Sequence, residues 1–153
     1  MYKRQFYGYG EIYCFNDDDG SLVWIRTIQR TDSTPAVYGG KVYVTGGCYG
    51  YSDHQTYCFD ALTGVMIWST TTEQDIGGWT SSVVIADGKV FVGREGAWAG
   101  DDMTFGYVKL FALDADTGDV LWEADNGGAT VAIYNGVVFT TGIDGRIYAY
   151  GTA

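Results

Sequence analysis

The stretch Ala112-Leu113-Asp114-Ala115-Asp116-Thr117-Gly118-Asp119-Val120-Leu121-Trp122 combines the end of a strand, a tight turn, and the start of a second strand that carries a tryptophan. Related copies run from Cys14 to Trp24 and from Cys58 to Trp68, and Ala149-Tyr150 repeats the beginning of the pattern. Repetition of one structural unit along a chain is typical of solenoids, propellers and repeat arrays. The sequence therefore predicts a repeat protein.

Composition favours an all-β fold. The 153 residues contain 23 Gly but one Pro, and 13 Tyr and 5 Trp contribute to a hydrophobic fraction of 46%. Aromatic residues are frequent in strands, and glycine serves the tight turns that join them. No stretch of useful length has the apolar period of an amphipathic helix.

Three hairpin turns recur every 48 residues, at Gly39-Gly40, Asp87-Gly88 and Asn135-Gly136. These dipeptides tolerate positive φ at both central positions of a type I′ turn. Apolar strands, named A and B, flank each turn; strand C follows, and the Asp-x-x-Thr-Gly turn leads into strand D. Four antiparallel strands per repeat predict β-propeller blades, about three and a quarter of them. The predicted units are residues 1–30 (strands C and D), 31–76 and 77–126 (complete blades), and 127–153 (strands A, B and C).

The pattern Ala-x-Asp-x-x-Thr-Gly-x-x-x-Trp resembles the tryptophan-docking motif of the pyrroloquinoline-quinone (PQQ) repeat family of β-propellers. The copy ending at Trp122 matches every defined position, and the copy ending at Trp68 departs only at Cys58. The copy ending at Trp24 departs at Cys14 and at the turn positions Asn16 and Asp19. The resemblance implies that the three tryptophans pack between neighbouring blades. Burial of an indole contributes at most roughly 4 to 6 kcal/mol, so Trp122→Ala is expected to be among the most destabilising substitutions.

The turn residues of the motif are expected to be structural. An Asp carboxylate and a Thr hydroxyl can accept hydrogen bonds from nearby backbone N–H groups, while Gly takes positive φ. The residues concerned are Asp60, Thr63, Gly64, Asp114, Thr117 and Gly118.

Variable loops on one face of the blades are where a binding function is expected. The A–B and C–D turns are short and uniform, whereas the B–C and D–A connections differ between blades, and function concentrates in variable loops on a rigid scaffold. Aromatic and acidic residues in these connections, together with a histidine and an arginine, form the candidate binding face: Tyr49, Tyr51, His54, Trp79, Arg94, Glu95, Trp98, Asp101, Asp102 and Phe105. The alternative is that the aromatic residues fold back as lids over the blade ends.

Signals of catalysis or cofactor binding are weak. A pair formed by His54 and Cys48 has no orienting third residue, so we expect a surface histidine and a free thiol. Asp101 and Asp102 with Glu95, and the run Asp17-Asp18-Asp19-Gly20, lack the ligand spacing of a calcium loop. Quinone dehydrogenases of the family bind PQQ with adjacent cysteines and Ca²⁺, and this sequence has no adjacent cysteines. No catalytic residue and no cofactor are therefore predicted, with PQQ and Ca²⁺ kept as alternatives.

Charge and hydropathy restrict the partners. A net charge of −10 disfavours binding to phosphate backbones, so nucleic acid is not an expected partner. No apolar run reaches the roughly 20 residues of a membrane span, and the N-terminal residues lack the pattern of a signal peptide. The family resemblance nevertheless favours the cell envelope or an extracellular location.

Cys14 and Cys58 occupy a repeat position that requires a small apolar side chain.

Two functions are compatible with these observations. The first is a non-catalytic scaffold that binds a protein or a glycan, as the envelope assembly scaffolds of the resembled family do. The alternative is a fragment of a PQQ-dependent dehydrogenase. Because a ring takes about four or more blades, and unpaired edge strands attract other chains, we expect another copy or flanking sequence to complete the propeller.

Overall fold

The computed structural model describes residues 9–98 and 101–151, and the side chains of these residues except those of 98 and 101–105. Its strands are β1 (Gly10–Phe15), β2 (Leu22–Ile28), β3 (Ala36–Tyr38), β4 (Lys41–Gly46), β5 (Gln55–Asp60), β6 (Met66–Ser69), β7 (Val84–Ala86), β8 (Lys89–Trp98), β9 (Asp101–Asp114), β10 (Val120–Ala124), β11 (Ala132–Tyr134), β12 (Val137–Thr141) and β13 (Ile147–Tyr150).

The strands form four antiparallel sheets in chain order. These are β1-β2, β3-β4-β5-β6, β7-β8-β9-β10 and β11-β12-β13. We name them blades 1 to 4, of which blades 2 and 3 have four strands. The predicted all-β fold built from four-stranded blades is confirmed.

The A–B turns have the backbone that their sequences predict. Asp87 and Gly88 lie at φ 50° and 69°, and Asn135 and Gly136 at φ 49° and 76°. Two successive positive φ angles are the signature of a type I′ turn, whose twist matches that of the paired strands. The turns therefore set the register, which pairs Ala86 with Lys89 across one hairpin.

Strands B and C of blades 2 and 3 are buried on both faces because consecutive blades pack against each other. Val42 and Val44 of β4 pack with Trp24 of blade 1, whereas Tyr43 between them packs with Leu113 of blade 3. Alternate residues of a strand point to opposite faces, so one strand supplies two cores. A third core joins blades 3 and 4.

The prediction that the B–C connection of blade 3 is a variable loop carrying part of the candidate face was wrong. Strand β8 continues to Trp98 and β9 begins at Asp101, with Arg94 opposite Lys109 and Gly96 opposite Gly106. The glycines and charged residues of this segment are typical of loops, which is why its composition favoured a loop. Ladder hydrogen bonds join backbone groups, however, so the strands extend wherever a partner strand runs alongside.

Two tryptophans dock on the C–D turn of the following blade. Trp24 donates its indole N–H to the Ala61 carbonyl at 3.0 Å, and Trp68 donates to the Ala115 carbonyl at 3.1 Å. The ring of Trp68 lies so close to Gly118 that a Cβ there would be 2.7 Å from it. The glycine of each turn therefore provides positive φ and room for the indole.

Trp122 does not share this environment. It is half-buried, whereas Trp24 and Trp68 are 6% and 9% exposed, and no described residue accepts a hydrogen bond from its Nε1. Its ring instead contacts Phe91 and Tyr150, with centroids 5.9 and 6.4 Å away. The expected large contribution of Trp122 to stability therefore belongs to Trp24 and Trp68, whose receiving turns are present.

Candidate functional site

The B–C loop of blade 2 is a compact turn folded over His54. The N–H groups of Tyr51 and Ser52 both donate to the Cys48 carbonyl at 2.9 Å, and the Ser52 hydroxyl accepts from the Cys48 N–H at 2.9 Å. Gly47, at φ 121°, lies against His54, where a Cβ would be 2.5 Å from the His54 Cα. The loop therefore encloses its own histidine.

His54 is 4% exposed, so the prediction of a surface histidine was wrong. Its Nδ1 lies 2.7 Å from Asp75 Oδ1, and its Nε2 lies 3.7 Å from Glu95 Oε2, an ion-pair distance that exceeds hydrogen-bond range. Asp75 comes from the D–A connection of blade 2 and Glu95 from β8 of blade 3. Acidic partners from two other segments make the burial of this histidine tolerable.

Asp75 and Glu95 extend the cluster to the surrounding backbone. Asp75 pairs with Arg94 (Nη2 to Oδ2, 2.6 Å), and the Glu95 carboxylate accepts the Tyr49 N–H at 2.9 Å. The Glu95 N–H in turn donates to the Gly77 carbonyl at 3.1 Å. We call His54, Asp75, Arg94 and Glu95 the His54 network; it joins the B–C loop, the D–A connection and blade 3.

The electrostatics of the network favour a protonated histidine. Burial disfavours the imidazolium, but the carboxylates of Glu95 and Asp75 outweigh it, and the pKa of His54 is raised above its usual value. Burial and the nearby Glu95 also raise the pKa of the Cys48 thiol. Nucleophilic cysteines require a lowered pKa, so the environment of Cys48 opposes thiolate chemistry. The contacts of His54 with two carboxylates therefore join segments that are distant in sequence.

The aromatic residues of the candidate face differ in their environments. Tyr49 and Tyr51 are 37% and 42% exposed at the surface of the B–C loop. Trp79 is half-buried, with the Arg30 guanidinium 4.8 Å from its ring centroid, and its carbonyl accepts the Asp32 N–H at 2.9 Å. Trp79 therefore fits the lid alternative better than it fits an exposed contact.

The structure brings together Tyr49, His54, Arg94 and Glu95 of the predicted face. The side chains of Trp98, Asp101, Asp102 and Phe105 lie outside the described residues. Sequence reasoning missed Asp75, which adopts φ 55° in a connection of ordinary polar composition. No local pattern marks Asp75, because its partners are 21 and 19 residues away in sequence.

The family described as "Outer membrane protein assembly factor BamB" matches residues 3–125. The chain belongs to this PQQ-repeat family. Among solved structures it is similar to BamB from Moraxella catarrhalis, with a TM-score of 0.67 at 15% identity over 93% of this chain and 40% of that one. At this identity the likeness shows the fold alone.

Relatives of this PQQ-repeat protein include enzymes. Dehydrogenase subunits of quinone alcohol dehydrogenases from Gluconacetobacter polyoxogenes and Komagataeibacter europaeus are each 36% identical over 96 residues, which is 58% of this chain and 12% of each relative. A quinohemoprotein alcohol dehydrogenase from Pseudomonas putida HK5 has a TM-score of 0.60 at 27% identity, over 77% of this chain and 18% of that one. This chain therefore spans about an eighth of the curated relatives' length.

The three cysteines of this PQQ-repeat chain lie in different parts of the described structure. Cys58 is buried on β5, Cys14 lies on β1, and Cys48 is a buried residue of the B–C loop of blade 2. Within the described ranges, no three His, Cys, Asp or Glu side chains converge as metal ligands. Glu95 is already engaged by Tyr49 and His54.

Residues 9–98 and 101–151 contain no helix whose length and hydropathy would allow it to cross a bilayer.

Proposed function

We propose that this PQQ-repeat chain is a non-catalytic scaffold that binds a protein partner through the B–C loop of blade 2. One observation carries the proposal: Tyr49 and Tyr51 are exposed on a loop whose backbone is held by the Glu95 carboxylate, which accepts the Tyr49 N–H at 2.9 Å. Aromatic side chains displayed on a rigid loop supply contact area at a low entropic cost.

The polar groups around the loop support anchoring rather than catalysis. Asp75 binds His54 and Arg94, and Glu95 binds the backbone of Tyr49. These contacts therefore join the network to the loop and to the D–A connection of blade 2. The network holds the shape of the loop on which the two tyrosines lie.

The family supports a protein partner in the cell envelope. Its description, an outer membrane protein assembly factor, names a role in assembling other proteins. The net charge of −10 favours a partner with basic side chains near its contact. A glycan is the other partner class that exposed tyrosines fit.

Photocrosslinking tests this surface with a matched control. A benzophenone amino acid replaces Tyr51 in one variant and Tyr38 in another, since Tyr38 is 56% exposed at an A–B turn of the same blade. In cells that produce the protein, we expect a discrete adduct from position 51 and none from position 38. Protease or glycosidase digestion identifies the adduct as protein or glycan. Equal labelling from both positions would exclude this face as the specific surface.

A fragment of a quinone-dependent dehydrogenase is the second candidate, favoured by the 36% identity to dehydrogenase subunits. Titration with PQQ and calcium chloride, followed by absorbance and melting temperature, separates the two functions. The scaffold proposal expects no saturable change in either signal. Stoichiometric binding with a raised melting temperature would replace it with the dehydrogenase candidate.

A further inference from the structure

The tip of the B–C loop of blade 2 is a unit closed on itself. The N–H groups of Tyr51 and Ser52 donate to the Cys48 carbonyl, and the Ser52 hydroxyl accepts the Cys48 N–H. Gly47 follows β4 with a φ of 121°, in the region that favours glycine, and on the other side His54 directly precedes β5. The tip therefore moves as one body when its contacts with blade 3 change.

The contacts of this loop with blade 3 converge on the Glu95 carboxylate. This carboxylate accepts the Tyr49 N–H at 2.9 Å and lies 3.7 Å from His54 Nε2, and Glu95 is 7% exposed. Among the described residues Nε2 has no hydrogen-bond partner, so its attraction to Glu95 depends on the charge of the imidazole. A buried carboxylate is costly unless a cation compensates it. The charge of His54 therefore helps to keep Glu95 and the backbone of Tyr49 together.

A β-bulge brings two adjacent residues of β8 into the His54 network. The pairing register of β8 with β9 shifts between Arg94 and Glu95. Adjacent side chains of a regular strand point to opposite faces, and a bulge re-aims one of them. Arg94 pairs with Asp75 and Glu95 faces His54, so both strand residues contribute to one cluster.

The charges of the His54 network balance only when His54 is protonated. His54 and Arg94 then oppose Asp75 and Glu95, whereas loss of the proton leaves two carboxylates with one guanidinium. Burial lowers the pKa of His54, but the Glu95 and Asp75 carboxylates outweigh burial and raise that pKa above its usual value. Further titratable and charged groups on the elements packed around the loop are Arg30, Asp32, Cys48, Asp53 and Tyr107.

We propose that the charge of His54 latches the B–C loop of blade 2 against blade 3: the loop is closed while His54 is protonated and opens when His54 loses its proton. Opening separates the Tyr49 N–H from Glu95 and displaces Tyr49 and Tyr51 relative to blade 3. The sole histidine of the sequence thereby couples pH to the shape of the candidate face. The consequence for partner binding rests on the function proposed above, whereas the latch itself does not.

The direction of the pH dependence follows from the raised pKa of His54. The closed loop is fully favoured below about pH 6.5, the usual pKa of an exposed histidine, and this preference is lost as pH rises through the raised value. The Cys48 thiol stays protonated over this interval, because burial raises its pKa as well. A transition of the loop near neutral pH therefore reports on His54.

Hydrogen exchange at single amides measures the opening of the loop without a partner. From about pH 6 to about pH 8.5, the protection of the Tyr49 and Tyr51 N–H groups, corrected for the intrinsic exchange rate, should fall roughly tenfold, a usual size for coupling between sites. The Ala61 N–H, which donates to the Gly40 carbonyl at 2.9 Å in the same blade, is the control and should keep its protection. In His54→Gln the protection of the loop should no longer depend on pH.

The imidazole C–H signal of the only histidine reports its own titration by NMR. Glu95→Gln keeps a carbonyl acceptor for the Tyr49 N–H but removes the charge that faces Nε2. It should therefore move the midpoints of the imidazole titration and of loop protection together to lower pH. Glu73→Gln is the matched control, since Glu73 is exposed on the same connection as Asp75, and it should leave both midpoints unchanged.

Circular dichroism melts verify that each variant folds. Loop protection that does not change with pH, or that changes equally in His54→Gln, would overturn the latch. Midpoints that are indifferent to Glu95→Gln would overturn it as well, because a purely structural contact predicts no such shift.

Photocrosslinking from position 51, in extracts of the producing cells buffered at the two pH values, separates the latch from the binding function. If both are correct, the adduct forms at the lower pH and is lost at the higher pH. A pH-dependent loop without an adduct at either pH would refute the binding function and support the latch. Equal adducts at both pH values, with a pH-dependent loop, would support the binding function and refute its regulation by His54.

Discussion

Removing the indole at the junction of blades 2 and 3 should sharply lower the free energy of unfolding. Trp68 is 9% exposed, packs against Tyr43 with ring centroids 6.0 Å apart, and donates to the Ala115 carbonyl. Full burial of an indole contributes at most roughly 4 to 6 kcal/mol, and Trp→Ala substitutions in cores usually cost about 3 to 5 kcal/mol. We expect about 4 kcal/mol for Trp68→Ala, a large fraction of the stability of an ordinary domain.

Trp68→Phe separates the hydrogen bond from the packing. The Ala115 carbonyl also accepts a hydrogen bond from the Tyr43 hydroxyl at 3.0 Å. Loss of the indole N–H therefore leaves this carbonyl with a partner, and the ring of phenylalanine keeps part of the packing. We expect a cost of about 1 to 2 kcal/mol.

Urea unfolding followed by circular dichroism, at one fixed protein concentration, measures both substitutions. Met66→Ala is the control on the same strand, since Met66 is 54% exposed, and it should change stability by less than about 0.5 kcal/mol. If Trp68→Ala unfolds within about 1 kcal/mol of the wild type, the tryptophan does not hold the blades together and the proposed basis of the fold is refuted.

Two further predictions concern the His54 network and a close backbone contact. Because the pKa of His54 is raised in the folded state, its stabilisation is complete below the unfolded pKa of about 6.5 and is lost as pH rises through the folded value. The stability of the wild type should fall over that interval, whereas His54→Gln, which removes the sole histidine, should show no such loss in urea titrations at each pH. Gly93→Ala should lower the free energy of unfolding by about 3 kcal/mol, because its Cβ would lie 1.8 Å from the Gly128 carbonyl oxygen. Gly88→Ala is the control in thermal melts, since a Cβ at Gly88 would meet open space. A loss of stability for Gly93→Ala no greater than that for Gly88→Ala would contradict this prediction.

Local chemistry made much of the fold predictable. The dipeptides Asp87-Gly88 and Asn135-Gly136 define type I′ turns, and both adopt the required positive φ. The Asp60 side chain accepts the N–H groups of Leu62 and Thr63 at 3.1 and 2.8 Å, and these contacts span at most three residues. Because these interactions join residues within one motif, they can be predicted from the motif alone.

Other features depend on segments that are distant in sequence. The extension of β8 to Trp98 requires β9 alongside it, because glycine and charged residues join a ladder only when a partner strand is present. Trp24, Trp68 and Trp122 share one sequence context, yet only the first two meet a C–D turn among the described residues. Their difference in burial arises from the next blade and cannot be read from the motif.

The sequence by itself determined the repeat, the turn geometry and the four-stranded blades, since these follow from contacts within a few residues and from the alternation of side chains along strands. Tertiary structure alone decided that His54 is buried, that Asp75 joins Arg94, and that Glu95 holds the backbone of Tyr49. The physical reason is that burial and charge pairing depend on which segments meet in space. These tertiary contacts arise from the packing of the blades and join residues about 20 to 50 positions apart in sequence.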